Sequence, residues 1–333
     1  MLKQINIKSL LKYYKKSVIS SKKLIFDIVD KDVYNITAPF HCFGKKYVAG
    51  RVESRKEHDS KIMFFIKSGG RYIVDNKAPV FNLEDPFITI IKNKIIFGGI
   101  EVDVKNVYRT VFFIGKDIYN LKKFKIGPKG MKDIRLILLP DERIGVLTRP
   151  QGKIGGRGRI GFMIVDSIKE FSELSEKDFY SAKLIPDRFD ESEWLNANAI
   201  YFLKNNNLGV IGNIACFSKN IDNPLKITSK CGFSICPTPN ENSTIKGIEH
   251  MKKNYYVISF NFDYLSNNFS GMKIIASRNE LPKGKSKSPE LSNILFPGGL
   301  IRNKNGTASL YVGVGDAEAY KIIIKDPFLE SGK

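Results

Sequence analysis

The feature that most constrains the fold of this chain is a hairpin that recurs five times along it. Each copy has an apolar run rich in Ile, Val, Phe or Tyr, a polar turn, and a second apolar run that ends in glycine or a charged residue. The turns centre on Gly44, Asn93, Asp141, Asn206 and Asn305. The first three are about 50 residues apart, which is the length of a four-stranded propeller blade. The sequence therefore predicts an all-β fold, a five-bladed β-propeller.

A chain of 333 residues has room for one large domain or for two of ordinary size. Apolar residues make up 42% of it, which is enough to build a substantial core. Helical periodicity is scarce outside residues 5–18 and 167–174. We therefore predict a short helical or irregular N-terminal arm at residues 1–24 and a single propeller domain at residues 25–333. A pair of β-sandwiches is the alternative, although it does not explain five similar hairpins.

The composition of the chain argues against a membrane-spanning protein, a secreted protein and a metal site. No run of about 18 apolar residues is present, so we predict no transmembrane helix. The N-terminal segment is basic but lacks the apolar region and cleavage site of a secretory signal, and we expect a cytoplasmic protein. Among the four cysteines, Cys231 and Cys236 do not form a CxxC pair. Since the three histidines show no HExxH pattern either, we predict no metal site.

The formal net charge of +20 favours polyanions in a non-specific way. The lysines are scattered, however, and the densest basic stretches, at residues 3–23, 122–125 and 283–287, form no long block of like charge. No zinc-finger, helix-turn-helix or RNA-recognition signature accompanies them. We therefore expect no specific nucleic-acid partner, and polyanion binding ranks last among the functional hypotheses.

Polar residues cluster at the edges of the five hairpins. In a propeller the inner strands converge on one axis, so residues at the start of these strands face a common funnel. The polar candidates at these edges are Asn35, Arg51, Glu53, Arg55, Glu57, Glu84, Asp85, Lys132, Asp133, Arg135, Arg149, Gln151, Trp194, Asn196, Asn198 and Asp316. Carboxylates accept hydrogen bonds from sugar hydroxyls, and an indole ring can stack on a sugar face. The alternative is structural, because Asp before Pro commonly starts a turn.

The segment at residues 155–159, GGRGR, is rich in glycine and arginine. It lacks the GxxxxGK[ST] spacing of a Walker loop, and no long crossover helix follows it as in a Rossmann turn. Two interpretations stay open. The segment is a flexible hairpin loop, or it brings backbone N–H groups and Arg157 or Arg159 to a phosphate.

Several stretches together resemble a known family. They are YNITAPF, GRVESRKEHDS, EDPFITIIKNKIIFGGIEV, GMKDIRLILLPDERIGVLTRPQGKIGGRGRIGF, EWLNANAIYFLKNNNLGVIGNIA and LFPGGLIRNKNGTASLYVGVGDAEA. The family is that of the β-1,2-mannosyltransferases and phosphorylases, glycosyltransferase family 108, formerly a domain of unknown function. It is related to the mannoside phosphorylases of glycoside hydrolase family 130. The resemblance covers nearly the whole chain, and it implies a five-bladed propeller that is the catalytic domain.

The resemblance also implies an activity and a set of site residues. The activity is the making or phosphorolysis of β-1,2-mannosides by an inverting mechanism. By resemblance, the catalytic residue is Asp85, the mannose-binding residues are Asn35, Arg51, Asp316, Trp194 and Asn198, and the phosphate-binding residues are Lys132, Arg135 and Arg149. The implied donor is mannose 1-phosphate or GDP-mannose and the acceptor is a mannose-type sugar. No further cofactor and no metal are implied.

The mechanism follows from having one candidate carboxylate. An inverting hydrolase needs an acid and a base, whereas a phosphorylase needs only the acid because phosphate is already an anionic nucleophile. Two positions depart from the related phosphorylases. Phe87 stands where those enzymes usually have arginine after Asp-Pro, and Asn213 stands where a histidine that helps bind phosphate is expected. An asparagine can donate a hydrogen bond but carries no charge.

Two functional alternatives remain at the level of sequence. The first is a carbohydrate-binding propeller without catalysis, in which Asp85 is a turn residue. The second is the polyanion-binding module. Expected partners are a mannose-containing oligosaccharide and a sugar phosphate, and the sequence leaves the oligomeric state open.

Overall fold

The computed structural model describes residues 5–54, 59–186, 192–203, 207–218 and 251–329. The candidates Arg55 and Glu57, the turn at Asn206 and the cysteines Cys231 and Cys236 therefore lie outside the described residues. The described chain begins with helix α1, Ile7–Tyr13, and strand β1, Val18–Lys23. The side chain of Asn6 accepts a hydrogen bond from the backbone N–H of Ser9, which caps the helix.

The first blade is built from six strands. They are β2 (Phe26–Asp27), β3 (Asp32–Tyr34), β4 (Phe40–Cys42), β5 (Lys45–Glu53), β6 (Lys61–Ser68) and β7 (Arg71–Val74). The sheet runs in the order β2-β7-β6-β5-β3, and β4 also pairs with β5. The hairpin of β4 and β5 turns at Gly44, whose φ of 69° lies in the left-handed region that glycine adopts without strain. This is the first of the turns predicted from the sequence.

The next three blades each contain four strands in sequence order. The second has β8 (Glu84–Ile91), β9 (Lys94–Val102), β10 (Tyr108–Gly115) and β11 (Lys122–Ile126). The third has β12 (Arg135–Leu138), β13 (Ile144–Thr148), β14 (Gly161–Val165) and β15 (Lys183–Leu184), with helices α2 (Gly152–Gly155), α3 (Ile168–Glu173) and α4 (Glu176–Ser181) in its connections. The fourth has β16 (Trp194–Phe202), β17 (Asn207–Ser218), β18 (Lys252–Asp263) and β19 (Asn268–Ala276).

The fifth blade joins the two ends of the chain. It consists of β20 (Leu295–Arg302), β21 (Thr307–Val314) and β22 (Glu318–Lys325), with β1 as its outer strand. Strand β1 pairs antiparallel with β22, from Val18 opposite Ile324 to Lys23 opposite Tyr320. The segment predicted as an arm therefore includes a blade strand. Its sequence VISSKK is too polar to indicate a strand by itself, because an edge strand faces solvent along much of its length.

The inner strands form a ring around one axis. Strand β8 contacts β12, β12 contacts β16, β16 contacts β20, and β3 contacts β21 and β22. The core lies between the sheets, where apolar side chains of neighbouring blades pack face to face, as Phe87, Phe112 and Phe171 do between the second and third blades. The prediction of an all-β five-bladed propeller is confirmed, and the ring places the starts of the inner strands at one mouth.

Candidate active site

Four acidic or amide residues at this mouth have left-handed backbone conformations. Asn35, Asp85, Asp133 and Asp316 have φ values of 43°, 47°, 63° and 50°. The first three lie at the innermost strands of the first three blades, and Asp316 lies in the turn between β21 and β22. Asn and Asp are the non-glycine residues that tolerate this conformation best. Such conformations concentrate at functional sites, and here each one falls on a residue that the sequence pattern had selected.

Asp85 receives two hydrogen bonds on one oxygen. The Nδ2 of Asn35 donates to Oδ1 of Asp85 at 2.8 Å, and Nη1 of Arg51 donates to the same atom at 3.3 Å. All three side chains are buried. Gly313 makes the approach of Asn35 possible, because a Cβ at position 313 would lie 2.0 Å from its Oδ1. Since both bonds converge on Oδ1, the other oxygen is the one that can face a substrate.

Arg51 links Asp85 to two further carboxylates. Its Nη2 donates to Oε1 of Glu84 at 2.8 Å and to Oε2 of Glu53 at 3.1 Å, and its guanidinium lies 5.1 Å from the centre of the Tyr34 ring. The strand register explains this arrangement, because Tyr34 on β3 stands opposite Arg51 on β5. One buried cation is therefore shared by three acids.

Glu53 connects this group to a loop of the fifth blade. Its carboxylate accepts hydrogen bonds from the Tyr34 hydroxyl and from the ammonium group of Lys287. The backbone N–H of Lys287 in turn donates to the carbonyl of Gly315 at 2.8 Å, directly before Asp316. Burial opposes ionisation, but the bonds from Lys287 and Tyr34 and the charge of Arg51 lower the pKa of Glu53 to about 2.

The pKa values of the carboxyl groups around Arg51 are shifted in different directions. Burial raises the pKa of Asp85, but the charges of Arg51 and Lys132 outweigh burial and hold that pKa below its ordinary value. Burial and the charge of Asp85 raise the pKa of Asp316. Burial also raises the pKa of Glu84. Asp85 is therefore ionised in the resting protein, while Asp316 and Glu84 hold their protons to higher pH. We call the set Asn35, Arg51, Glu53, Glu84, Asp85 and Asp316 the acidic half of the site.

A second group, the cationic half, consists of Lys132, Asp133, Arg135 and Arg149. Asp133 lies between the two arginines, with its Oδ1 at 3.7 Å from Nη2 of Arg135 and its Oδ2 at 3.5 Å from Nη1 of Arg149. The exposed fractions of these three residues are 2%, 5% and 2%. Three charged side chains are thus packed together out of contact with solvent.

Backbone carbonyls and a ring orient Arg135. Its Nε donates to the carbonyl of Asn198 at 2.9 Å and its Nη1 to that of Ile134 at 3.1 Å. Its Cζ lies 4.3 Å from the centre of the Phe87 ring, within cation–π range. Phe87, which departs from the arginine of the related phosphorylases, therefore forms the surface on which Arg135 rests, two residues from Asp85.

The glycine-rich segment holds Arg149. The Nε of Arg149 donates to the carbonyl of Leu195 at 2.7 Å, and its Nη2 donates to the carbonyl of Arg157 at 3.4 Å. Gly158 packs against the guanidinium with φ of 143°, and a Cβ there would lie 2.5 Å from Nη2. The segment at residues 155–159 thus positions Arg149 in two ways. The carbonyl of Arg157 accepts its hydrogen bond, and Gly158 leaves room for its guanidinium because it has no side chain.

Lys132 connects the two halves. Its ammonium group lies 5.5 Å from the centre of the Tyr108 ring. Burial opposes its charge, but Asp133, Tyr255 and Asp85 outweigh burial and raise the pKa of Lys132. The lysine is therefore charged at neutral pH and acts electrostatically on both carboxylates.

The predicted acceptor-side residues lie on the fourth blade. Trp194 is 8% exposed, and its ring centre lies 5.1 Å from that of Phe217 and 5.8 Å from that of Tyr255. Asn198 is buried at a bulge of β16, and within the described chain its side-chain amide has no hydrogen-bond partner. Among the residues described, the side-chain amide of Asn213, buried on β17, likewise has no hydrogen-bond partner.

Sequence comparison decides the family. The family described as "Protein of unknown function (DUF1861)" matches residues 12–330 of the chain. The chain belongs to the DUF1861 family. Within the described part of the DUF1861 chain, no helix has the length and apolar character to cross a membrane. No curated protein matches the sequence significantly.

Solved structures resemble the DUF1861 chain over most of its length. A mannose phosphorylase from Leishmania mexicana, in complex with phosphate ion, is 31% identical with a TM-score of 0.79, and the alignment covers 94% of this chain and 90% of that one. A GDP-Man-dependent mannosyltransferase from the same organism is 28% identical with a TM-score of 0.81, covering 98% and 96%. The β-1,2-mannobiose phosphorylase of Listeria innocua is 12% identical with a TM-score of 0.58, covering 90% and 92%, and shows the fold alone. The family resemblance inferred from the sequence is confirmed.

Two polar residues of the DUF1861 site escaped the sequence interpretation. Lys253 and Tyr255 lie two residues apart on β18 and share one face of the strand. Burial raises the pKa of Tyr255, on which the charges of Lys132 and Asp316 also act. Burial lowers the pKa of Lys253, which Asp316 also influences. The run of polar and tyrosine residues KKNYY at the start of a strand is a signal that could have identified them.

Proposed function

We propose that this protein transfers mannosyl groups between a phosphate and a mannose-type acceptor with inversion at the anomeric carbon. The observation that carries the proposal is the juxtaposition of the two halves of the site. An ionised carboxylate, Asp85, lies in the acidic half beside groups suited to sugar hydroxyls. The adjacent cationic half holds Lys132, Arg135 and Arg149 around one carboxylate.

The halves have the chemistry that this reaction requires. Carboxylates, amides and a guanidinium bind sugar hydroxyls through directed hydrogen bonds, and such groups surround Asp85. Clustered arginines and a lysine bind phosphate oxygens and stabilise negative charge as it develops on a leaving phosphate. Both arginines approach within 4 Å of the Asp133 carboxylate, at 3.7 and 3.5 Å. A cluster this compact favours one phosphoryl group.

In phosphorolysis, Asp85 donates its proton to the glycosidic oxygen, directly or through a sugar hydroxyl, and the bond from C1 to that oxygen breaks. A phosphate oxygen attacks C1 from the opposite face, so the products are α-mannose 1-phosphate and a shortened acceptor. In synthesis, Asp85 accepts the proton of the acceptor hydroxyl while phosphate leaves. The lowered pKa of Asp85 favours the ionised form that synthesis uses.

Relatives of known activity support the proposal. One solved structure with 31% identity is that of a mannose phosphorylase in complex with phosphate ion, and one with 28% identity is that of a GDP-Man-dependent mannosyltransferase. Their similar identities to this chain do not separate the two donors. We infer from the compact cationic half that mannose 1-phosphate is the donor, and GDP-mannose is the alternative that the experiment must exclude.

A donor screen tests the function. The protein is incubated with a mannose acceptor and either mannose 1-phosphate or GDP-mannose, and the products are separated by chromatography. We expect acceptor elongation with mannose 1-phosphate, release of inorganic phosphate, and reversal when phosphate is added in excess. Elongation with GDP-mannose alone would replace phosphate by a sugar nucleotide as the co-substrate.

Product formation in this screen, together with binding measurements, separates the other functional classes. A carbohydrate-binding propeller without catalysis would bind mannose oligosaccharides saturably but form no product over long incubation at high protein concentration. A polyanion-binding module would bind nucleic acid with a steep dependence on salt and show little sugar preference. The β-1,2 linkage and a cytoplasmic location stay predictions.

A further inference from the structure

Asp133 is a buried carboxylate whose charge no hydrogen bond balances. It is 2% exposed, and neither of its oxygens has a hydrogen-bond partner anywhere in the described ranges. The opposite charges nearest to it in the site are Nη1 of Arg149 at 3.5 Å and Nη2 of Arg135 at 3.7 Å. Both distances exceed those of a direct N–H to oxygen bond, which are about 2.7–3.2 Å. The arginines therefore compensate the carboxylate through their charge and not through directed bonds.

The arginines do not need Asp133 for their orientation. Carbonyl groups of Asn198 and Ile134 anchor Arg135, and those of Leu195 and Arg157 anchor Arg149. Phe87 and Gly158 add van der Waals contacts to the two guanidinium groups. A neutral side chain of the same shape at position 133 would leave these anchors in place. What Asp133 contributes to the cationic half is consequently its negative charge and not the orientation of the arginines.

The charges of the cationic half leave a definite surplus. Lys132, Arg135 and Arg149 are positive and Asp133 is negative, so two positive charges are unbalanced. A phosphate or a sugar phosphate near neutral pH carries close to two negative charges. Without Asp133, the site would hold one positive charge more than its substrate can balance.

We propose that Asp133 is an internal counter-charge that weakens phosphate binding and so allows the anion to react and leave. The proposal rests on the proposed function, because it takes phosphate to occupy the cationic half. The negative charge of Asp133, which lies against the two arginines, repels the bound anion and so raises its free energy. Interactions that stabilise only the bound ground state slow the chemical step, so a weaker ground state favours turnover.

The test is the substitution Asp133→Asn in the full chain. Asparagine has the same shape and tolerates the φ of 63° at this position. Binding of inorganic phosphate is measured by titration calorimetry, and phosphorolysis kinetics are measured in parallel. We expect the dissociation constant of phosphate to fall by about tenfold or more, as Coulomb's law at an intermediate dielectric implies, while kcat for phosphorolysis falls. A residue that only stabilises the fold would not tighten phosphate binding when replaced.

Asp141→Asn is the matched control. Asp141 is exposed in the turn of the third blade and pairs with Arg143, so this variant removes the same charge at a distance from the site. We expect its affinity for phosphate to equal that of the unchanged protein. Equal tightening in both variants would overturn the proposal, because the effect would then be one of net charge.

The outcomes separate the inference from the proposed function. If the unchanged protein binds no phosphate, both the proposed function and the counter-charge fail. If it binds phosphate and Asp133→Asn binds no more tightly, only the counter-charge fails.

A double variant covers the case in which Asp133→Asn does not fold. Asp133→Asn combined with Arg135→Gln removes one charge of each sign and restores the original balance. We expect this protein to fold and to bind phosphate more tightly than Arg135→Gln alone. Binding no tighter than that single variant, or failure of the double variant to fold where Arg135→Gln folds, would overturn the proposal.

Discussion

The two halves of the site combine acids and bases in opposite proportions. In the acidic half, Glu53, Glu84 and Asp85 share the single guanidinium of Arg51, with direct contacts of 3.1, 2.8 and 3.3 Å. In the cationic half, several cations share the single carboxylate of Asp133 at 3.5 Å and beyond.

The two halves differ in how far their charges are already paired within the protein. Short ion pairs orient the acidic half and set the protonation of its carboxyls, as a sugar-binding and proton-transfer site requires. Backbone carbonyls orient the arginines of the cationic half and leave their positive charge largely uncompensated. A carbonyl directs a guanidinium without neutralising it, so the charge remains for an anion. Predictions follow that separate the halves experimentally.

The largest effect is expected from Asp85→Asn. The variant retains shape and tolerates the left-handed backbone at this position, but it cannot donate or accept the transferred proton. We expect kcat to fall by about 10³-fold in both directions, within the range of general acid–base catalysis. Steady-state kinetics with mannose 1-phosphate measure this, and circular dichroism checks the fold. Full activity of the variant would remove Asp85 from the catalytic role.

Arg149→Lys should act on the cationic half alone. Lysine keeps the charge but cannot make both bonds to the carbonyls of Leu195 and Arg157. We expect the KM for phosphate to rise by about tenfold or more, while binding of a mannose oligosaccharide stays unchanged. Arg143→Lys, at an exposed turn, is the control. A parallel loss of sugar affinity would show that the halves are not separate.

The pH dependence of the two reaction directions should differ. Phosphorolysis needs protonated Asp85, whose pKa lies below its ordinary value because of Arg51 and Lys132. We therefore expect kcat for phosphorolysis to fall by up to about tenfold per unit as pH rises above that pKa, whereas synthesis uses the ionised form and does not fall. Initial rates across a pH series in both directions measure this. Identical pH profiles would assign the proton to another group.

Gly158→Ala tests how the glycine-rich segment holds Arg149. A Cβ at position 158 would meet the guanidinium at 2.5 Å, and the φ of 143° disfavours alanine. We expect the KM for phosphate to rise by about threefold to tenfold, because the new Cβ displaces the guanidinium of Arg149 from its place. Gly156→Ala is the matched control, because its φ of 56° imposes a similar strain while nothing lies within 4 Å of its Cβ. Equal effects in both would attribute the loss to backbone strain alone.

The smallest effect concerns acid stability of the acidic half. Lys287, Tyr34 and Arg51 lower the pKa of Glu53 from 4.5 to about 2, against the opposing effect of burial. The unfolded chain therefore binds more protons in this interval, so the stability from Glu53 is lost as pH falls from about 4.5 to about 2. We expect Glu53→Gln to reduce the slope of unfolding temperature against pH in this window. Glu142→Gln, at an exposed ion pair, should change that slope less.

Much of the fold was predictable because blades are local. Each hairpin joins two apolar runs through a polar turn over a short stretch, and the turns at Gly44 and Asn93 have the left-handed φ values their residue types favour. The outer strand β1 was not predictable, since its partner β22 lies at the other end of the chain and its sequence VISSKK is mostly polar.

The same distinction applies to the site. Asp85 and Asp316 stand at or just before strand starts and Arg51 near a strand end, where a propeller brings side chains to one mouth, so topology and sequence position suffice to select them. Tyr255 was missed because its strand is the third of its blade, and only the register with β17 carries it to Trp194. The interpretation of residues 155–159 as a phosphate loop did not anticipate that Gly158 supports Arg149.

By itself, the sequence determined a propeller of five blades, its family and the residue types at the funnel. It could do so because apolar runs and turn residues act over a few positions of the chain. Only the tertiary structure decided which charges meet: that Arg51 is shared by three acids, and that Asp133 lies between two arginines without a hydrogen bond. The contacts of Arg51 with Glu84 and Asp85 join the first two blades, and the contact of Asp133 with Arg149 joins two ends of a hairpin in the third blade. Charge interactions depend on such distances in space, which spacing along the chain does not specify.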